Sequence, residues 1–92
     1  MIQIIDFYRD GCEPCNKLAV ELDKVKEAYG DKVVIDKINA ETHPDIAAAH
    51  GIMGVPVVKM YVGEDVVYQG KGYHPYELLE AKIDEILGQE NL

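Results

Sequence analysis

The sequence predicts an α/β protein, a four-stranded mixed sheet flanked by three helices in the order βαβ, α, ββα. Three observations lead there. The chain opens on a run that is apolar at both odd and even positions, as in a strand covered on both faces. A helical period then separates it from a second β-branched run, giving a strand–helix–strand unit whose right-handed crossover makes the strands parallel. Late in the chain, two short apolar runs flank a Gly-containing turn, the pattern of an antiparallel hairpin, and an amphipathic segment follows.

Residues 2–8, IQIIDFY, interrupt their apolar run only at Gln3 and Asp6 and read as the central strand. From Pro14 to Tyr29, apolar positions Cys15, Leu18, Ala19, Leu22, Val25 and Tyr29 recur at helical spacing, with Gly30 as the stop. KVVIDKIN (32–39) is the second strand. His43-Pro44 opens a short helix, closed by Gly51, with proline at a tolerated first-turn position. PVVKMYV (56–62) and DVVYQG (65–70) form the hairpin through a Gly63-Glu64-Asp65 turn. The last helix starts at His74-Pro75, buries Leu79, Ile83, Ile86 and Leu87, and is expected to stop at Gly88.

Ninety-two residues, 48% hydrophobic and 28% charged, fit a single domain spanning 1–92 with a modest core. Two cysteines are too few for a disulfide-stapled secreted scaffold. Seventeen acidic against nine basic residues give a net charge of -8, which disfavours a nucleic-acid surface and favours a soluble monomer. The N-terminal run lacks the basic lead and cleavage site of a signal peptide, and no segment is apolar for a membrane span's length. A cytoplasmic protein is the expectation, with no nucleic-acid or membrane partner.

Both cysteines stand in DGCEPCNK (10–17). A Cys-X-X-Cys beside a βαβ pattern in a reducing compartment reads as a dithiol redox motif. Cys12 falls at the loop-to-helix junction, where unpaired N–H groups and the helix dipole favour a thiolate, and Cys15 lies one turn further on. Cys12 could attack a substrate disulfide, and Cys15 could resolve the mixed disulfide by closing a 12–15 bridge. Zinc is the first alternative, but His43, His50 and His74 are not spaced as a finger, so no metal is expected. An inert bridge is the second; it would close too short a loop to add much stability. The three histidines read as surface or capping residues, and Met53 and Met60 as loop and core packing.

Together DFYRDGCEPCNKL, KIN, GIMGVPVV and GKGY before the final helix resemble the thioredoxin family over nearly the whole chain. The sequence starts at that family's central strand, so it looks like a minimal version, close in size to glutaredoxins. The resemblance implies a minimal thioredoxin-like fold. It also implies that Asp6 is the buried acid passing protons to and from the resolving cysteine, its pKa raised by desolvation. Lys37 matches the lysine near that acid, although an alternating polar strand explains it equally well. Pro56, after Val55, matches a cis-proline that faces the disulfide and pairs with extended substrate, and Gly72 matches a glycine that lets partners approach.

Departures from the family pattern fall beside the motif. Gly11 and Glu13 occupy positions where thioredoxins usually carry tryptophan and glycine. Glu13 would tend to raise the Cys12 pKa or select basic partners. Tyr8 stands at another position where tryptophan is common. Pro14 matches thioredoxins rather than glutaredoxins and implies a reductant with a potential near about -270 mV. The leading reading is therefore a protein-disulfide reductase with no bound cofactor beyond a redox-active Cys12–Cys15 disulfide, recharged by a thioredoxin reductase. Its rivals are a glutathione-coupled, glutaredoxin-like enzyme and a non-catalytic binding module on the same fold.

Overall fold

Strand β1 (Ile2–Tyr8) is apolar on both parities because it has a layer on each side. In the computed structural model, which describes residues 1–90, it sits inside a sheet of order β2-β1-β3-β4. Strand β2 (Val33–Asn39) pairs with it in parallel, Ile2 opposite Val33 through Tyr8 opposite Asn39. Strand β3 (Val57–Val62) pairs with its other edge antiparallel, and β4 (Asp65–Lys71) pairs antiparallel with β3.

The pleat sorts β1 between two cores. Ile2 and Ile4 join Leu18, Leu22 and Val25 of helix α1 (Glu13–Tyr29), Leu79, Ile83 and Ile86 of helix α3 (Tyr76–Glu90), and Val33, Val58 and Met60. Ile5 and Phe7 point the other way, where Val57, Ile38, Ile52, Val55 and Tyr61 pack. The His50 ring at the end of helix α2 (Pro44–Ala49) lies 5.2 Å from the Phe7 ring on this second face. Asp6 shares the parity of Ile2 and Ile4, so its carboxyl enters the layer under α1 and α3.

Several element ends differ from the sequence-based expectation: α1 starts at Glu13 rather than Pro14, β4 runs to Lys71 rather than Gly70, and α3 starts at Tyr76 rather than at His74-Pro75. Lys32 belongs to a 3-10 turn over Gly30–Lys32, so β2 begins one residue later. Pro56 precedes β3 rather than starting it. Asp65 pairs with Val62, which leaves only Gly63 and Glu64 in the hairpin turn; Gly63 has φ +61°, a conformation glycine adopts freely. Helix α3 runs through Gly88 to Glu90 rather than stopping there, and a Cβ added at Gly88 would meet nothing within contact distance. The exposed Met53 and the buried Met60 occupy the loop and core places expected of them.

Candidate active site

A parallel β1–β2 pair followed by antiparallel β3 and β4 collects particular chain ends at one edge of the sheet. Phe7 pairs with Val57 and Val57 with Lys71, so the loops after β1, before β3 and after β4 emerge side by side. Those loops carry Gly11 and Cys12, Val55 and Pro56, and Gly72. The end of β2 joins them through the Ala40 N–H, which donates to the Tyr8 carbonyl at 2.8 Å.

Gly11, at φ +72°, turns the chain so that Cys12 becomes the N-cap of α1 with extended backbone (φ -98°, ψ 108°). Pro14 sits in the first turn, where its missing N–H costs nothing. Cys12 Sγ does what a capping serine oxygen would do and accepts the Cys15 N–H at 3.2 Å. Cys12 and Cys15 are joined by a disulfide with their Cα atoms 5.2 Å apart, and both are almost fully buried. Glu13 is less of an electrostatic burden on Cys12 than its position suggests. Its side chain is 80% exposed and pairs with Lys17 at 3.6 Å, and an acid in a helix's first turn favours the helix.

Asp6 is 1% exposed, and its Oδ1 is buried with no hydrogen-bond partner. Desolvation pushes its pKa up to about 6, against a smaller opposing pull from Lys37. The strand register explains that pull, since Lys37 lies directly opposite Asp6 on β2, with its own side chain in solvent. Val58 is opposite on the β3 side and fully buried, leaving Asp6 one charged and one apolar flank.

The Val55–Pro56 peptide bond is cis. Pro56 is buried, and its carbonyl accepts the Gly72 N–H at 2.8 Å, so these two segments are tied directly. Gly72 has φ +91°, and the space where a side chain would begin is empty. Val55 lines a cavity of about 470 Å³ with Arg9, Met53 and Ile52, while Glu13 and Pro14 line another of about 560 Å³ with Lys17 and Tyr73. Met53 is 97% exposed at the first of these, and Tyr73 is 44% exposed at the second. Among the described residues, no group of three or more His, Cys, Asp or Glu is placed to hold a metal ion.

Sequence reasoning missed two polar anchors behind these loops. Glu21 is buried between α1 and the segment before α3. Its Oε1 accepts the Tyr73 hydroxyl at 2.9 Å and the Tyr76 N–H at 3.3 Å, and Oε2 pairs with Lys24 at 2.8 Å. Hydrogen bonding from Lys24, then from Tyr73, holds its carboxyl below the usual range. The available signal was spacing: Glu21 lies among Leu18, Leu22 and Val25, where only a partnered acid can face inward. His74 is the second anchor. It is 3% exposed rather than on the surface, with Nδ1 2.8 Å from the Gly72 carbonyl and Nε2 2.7 Å from the Tyr68 hydroxyl. His50 is also half-buried, its Nδ1 in contact with Lys59 Nζ and the Tyr61 hydroxyl, whereas His43 is exposed.

A family model described as Thioredoxin matches residues 1–85. A thioredoxin from Alicyclobacillus acidocaldarius subsp. acidocaldarius is 36% identical over 84 residues, covering 91% of this chain and 80% of that protein. The thioredoxin of Chlorobaculum thiosulfatiphilum is 33% identical over 85 residues, covering 92% and 79%. Among solved structures, a chloroplastic thioredoxin z superposes with a TM-score of 0.87 at 26% identity, covering 96% of this chain and 80% of that one. A malarial protein superposes at 0.88 with 16% identity over 92% of this chain and 96% of that chain, a likeness of fold alone.

Proposed function

The chain belongs to the thioredoxin family and is a thiol–disulfide oxidoreductase; from that premise we propose that Cys12 is its attacking thiol, Cys15 its resolving thiol and Asp6 its proton carrier. One observation carries the assignment. Cys12 Sγ already receives a helix N-terminal N–H, so negative charge appearing there on reduction meets a donor and the positive end of the α1 dipole. Cys15 sits one turn inside on the buried stripe, where desolvation disfavours its thiolate.

In the forward direction the Cys12 thiolate attacks one sulfur of a substrate disulfide. The substrate S–S bond breaks, a mixed disulfide forms, and one substrate thiolate leaves and takes up a proton. Cys15 then gives its proton to the Asp6 carboxylate and attacks Cys12 Sγ. The mixed bond breaks, the 12–15 disulfide closes, and the second substrate sulfur leaves and is protonated from Asp6. Two electrons pass from the protein dithiol to the substrate, and two protons follow them. A carboxyl poised near pH 6 is mostly ionised at neutral pH and can still be protonated cheaply, as this shuttle requires. The second attack is intramolecular and needs no collision. Val55 offers backbone to an extended substrate, Pro56 and Gly72 hold and line the surface it approaches, and Gly11, Glu13 and Pro14 lie on its other side. A thioredoxin reductase returns the electrons.

Mixing each serine variant with a disulfide substrate and measuring intact mass tests the roles. Cys15→Ser accumulates a mixed disulfide through Cys12 that dithiothreitol releases; Cys12→Ser accumulates little. Equal trapping by both variants, or trapping through Cys15 alone, overturns the assignment. The electron source is tested separately, by whether a thioredoxin reductase with NADPH or glutathione reduces the oxidised protein faster. Reduction by glutathione alone would replace the reductase with glutathione.

A further inference from the structure

The mechanism uses neither His74 nor Tyr68, yet the buried His74 ring has a hydrogen-bond partner on each nitrogen, one of them the half-buried Tyr68. The Gly72 carbonyl fixes one end of the pair. The Gly72 carbonyl can only accept, so His74 Nδ1, 2.8 Å away, carries the hydrogen. A neutral imidazole then presents Nε2 as an acceptor, and the Tyr68 hydroxyl donates to it across 2.7 Å. The rings meet edge to face at 5.7 Å over Gly70, where a Cβ would overlap the Tyr68 hydroxyl and His74 Nε2. Glycine at 70 is what lets the pair form.

The chain of bonds ends at the substrate side. Gly72 N–H donates to Pro56, and the Gly72 carbonyl receives His74, so the two peptide units on either side of the Gly72 Cα are both held. Gly72, at φ +91°, has open space where a side chain would be, and glycine is the residue with most backbone freedom to lose. Without the His74 bond, only the Pro56 contact would hold this hinge.

We propose that His74, as the neutral Nδ1–H tautomer fixed by Tyr68, is a positioning residue that pre-organises Gly72 and through it the Pro56 loop for protein-disulfide substrates. It acts on docking and not on sulfur chemistry, because its two ring hydrogen bonds go to Tyr68 and Gly72 rather than to a cysteine or Asp6. Holding the loop in its bound form lowers the ordering cost of association. This rests on the reading of Pro56 and Gly72 as substrate-facing.

Single-turnover reduction of insulin and of a small aromatic disulfide by the pre-reduced protein separates docking from chemistry. His74→Leu raises the half-saturating insulin concentration about five-fold, the worth of one net hydrogen bond. It leaves the limiting rate and the small-disulfide rate unchanged. His74→Asn, whose amide nitrogen replaces Nδ1, restores most of the insulin affinity. Equal losses in Leu and Asn variants, parallel loss of small-disulfide reactivity, or no change with insulin overturns the proposal. Should the leucine variant not fold, the ¹⁵N spectrum of the wild-type histidines decides: an Nε2–H tautomer at His74 overturns the proposal and an Nδ1–H tautomer supports it. If wild-type protein fails to reduce insulin, the substrate-facing reading falls, while the tautomer measurement still reports on the bond network itself.

Discussion

At the scale of one residue, Asp6 in its proposed role as proton carrier sets a conflict between stability and chemistry. Its carboxyl ionises at about 6 in the fold against an ordinary 3.8, because burial outweighs the attraction of Lys37. The folded state therefore binds a proton more tightly than the unfolded chain, and Asp6 favours folding fully below about pH 3.8. That advantage is lost as pH rises to about 6, amounting to about 3 kcal/mol across the window. Asp6→Asn should raise the urea midpoint at pH 8 and leave it nearly unchanged at pH 4, while slowing disulfide reduction at pH 7. A lower midpoint at pH 8 with unaltered turnover would mean that the carboxylate is solvated or structurally paired. Asp6 was legible in the sequence because an acid inside an apolar strand is conspicuous. The cysteines were legible because their spacing already specifies a helix start. Glu21 and His74 were not, since their partners Tyr73 and Tyr68 are 52 and 6 positions away and only the folded chain brings them into contact.

At the scale of elements, hydrophobic period located the strands and the two long helices, His43-Pro44 and Gly51 marked the short one, and the discrepancies fell at ends, where local bonding decides. The 3-10 turn before β2, the two-residue hairpin turn and the register shift at Met60/Tyr61 in the β3–β4 ladder leave no mark on apolar periodicity. Helix α3 shows why Gly88 misled. Glycine ends a helix when it takes the left-handed conformation itself; Gly88 does not, and inside α3 it is simply a weak helix former. With nothing within contact of an added Cβ, Gly88→Ala should stabilise the protein by about 0.5 kcal/mol, less than a mid-helix value because the position lies in the last turn. Thermal melting checks this. A fall in Tm would mean that position 88 takes a backbone conformation that alanine resists.

At the scale of the molecule, one sheet order gathers the chemistry and one net charge governs who reaches it. Because β2 and β4 run with β1 while β3 runs against it, the N-terminus of α1 and the loops before β3 and after β4 share an edge without any long connection. The charge of -8 belongs to the whole body, whose longest dimension is 38 Å. At about 0.01 M salt the screening length is about 30 Å, so an approaching substrate feels nearly all of that field; at about 0.15 M it is about 8 Å and the substrate feels only the charges beside the site. Those include Arg9 and Lys17 as well as Glu13 and Glu41, two of each sign. A lysine-flanked peptide disulfide should therefore be reduced about ten-fold faster than its glutamate-flanked counterpart at 0.01 M salt, and the two second-order rates should converge as salt rises. Stopped-flow reduction of both peptides over a salt series measures the ratio. A ratio that stays constant with salt would place the preference in a direct contact such as Glu13, and Glu13→Gln would then abolish it; a ratio that falls with salt and survives Glu13→Gln belongs to the field of the whole protein.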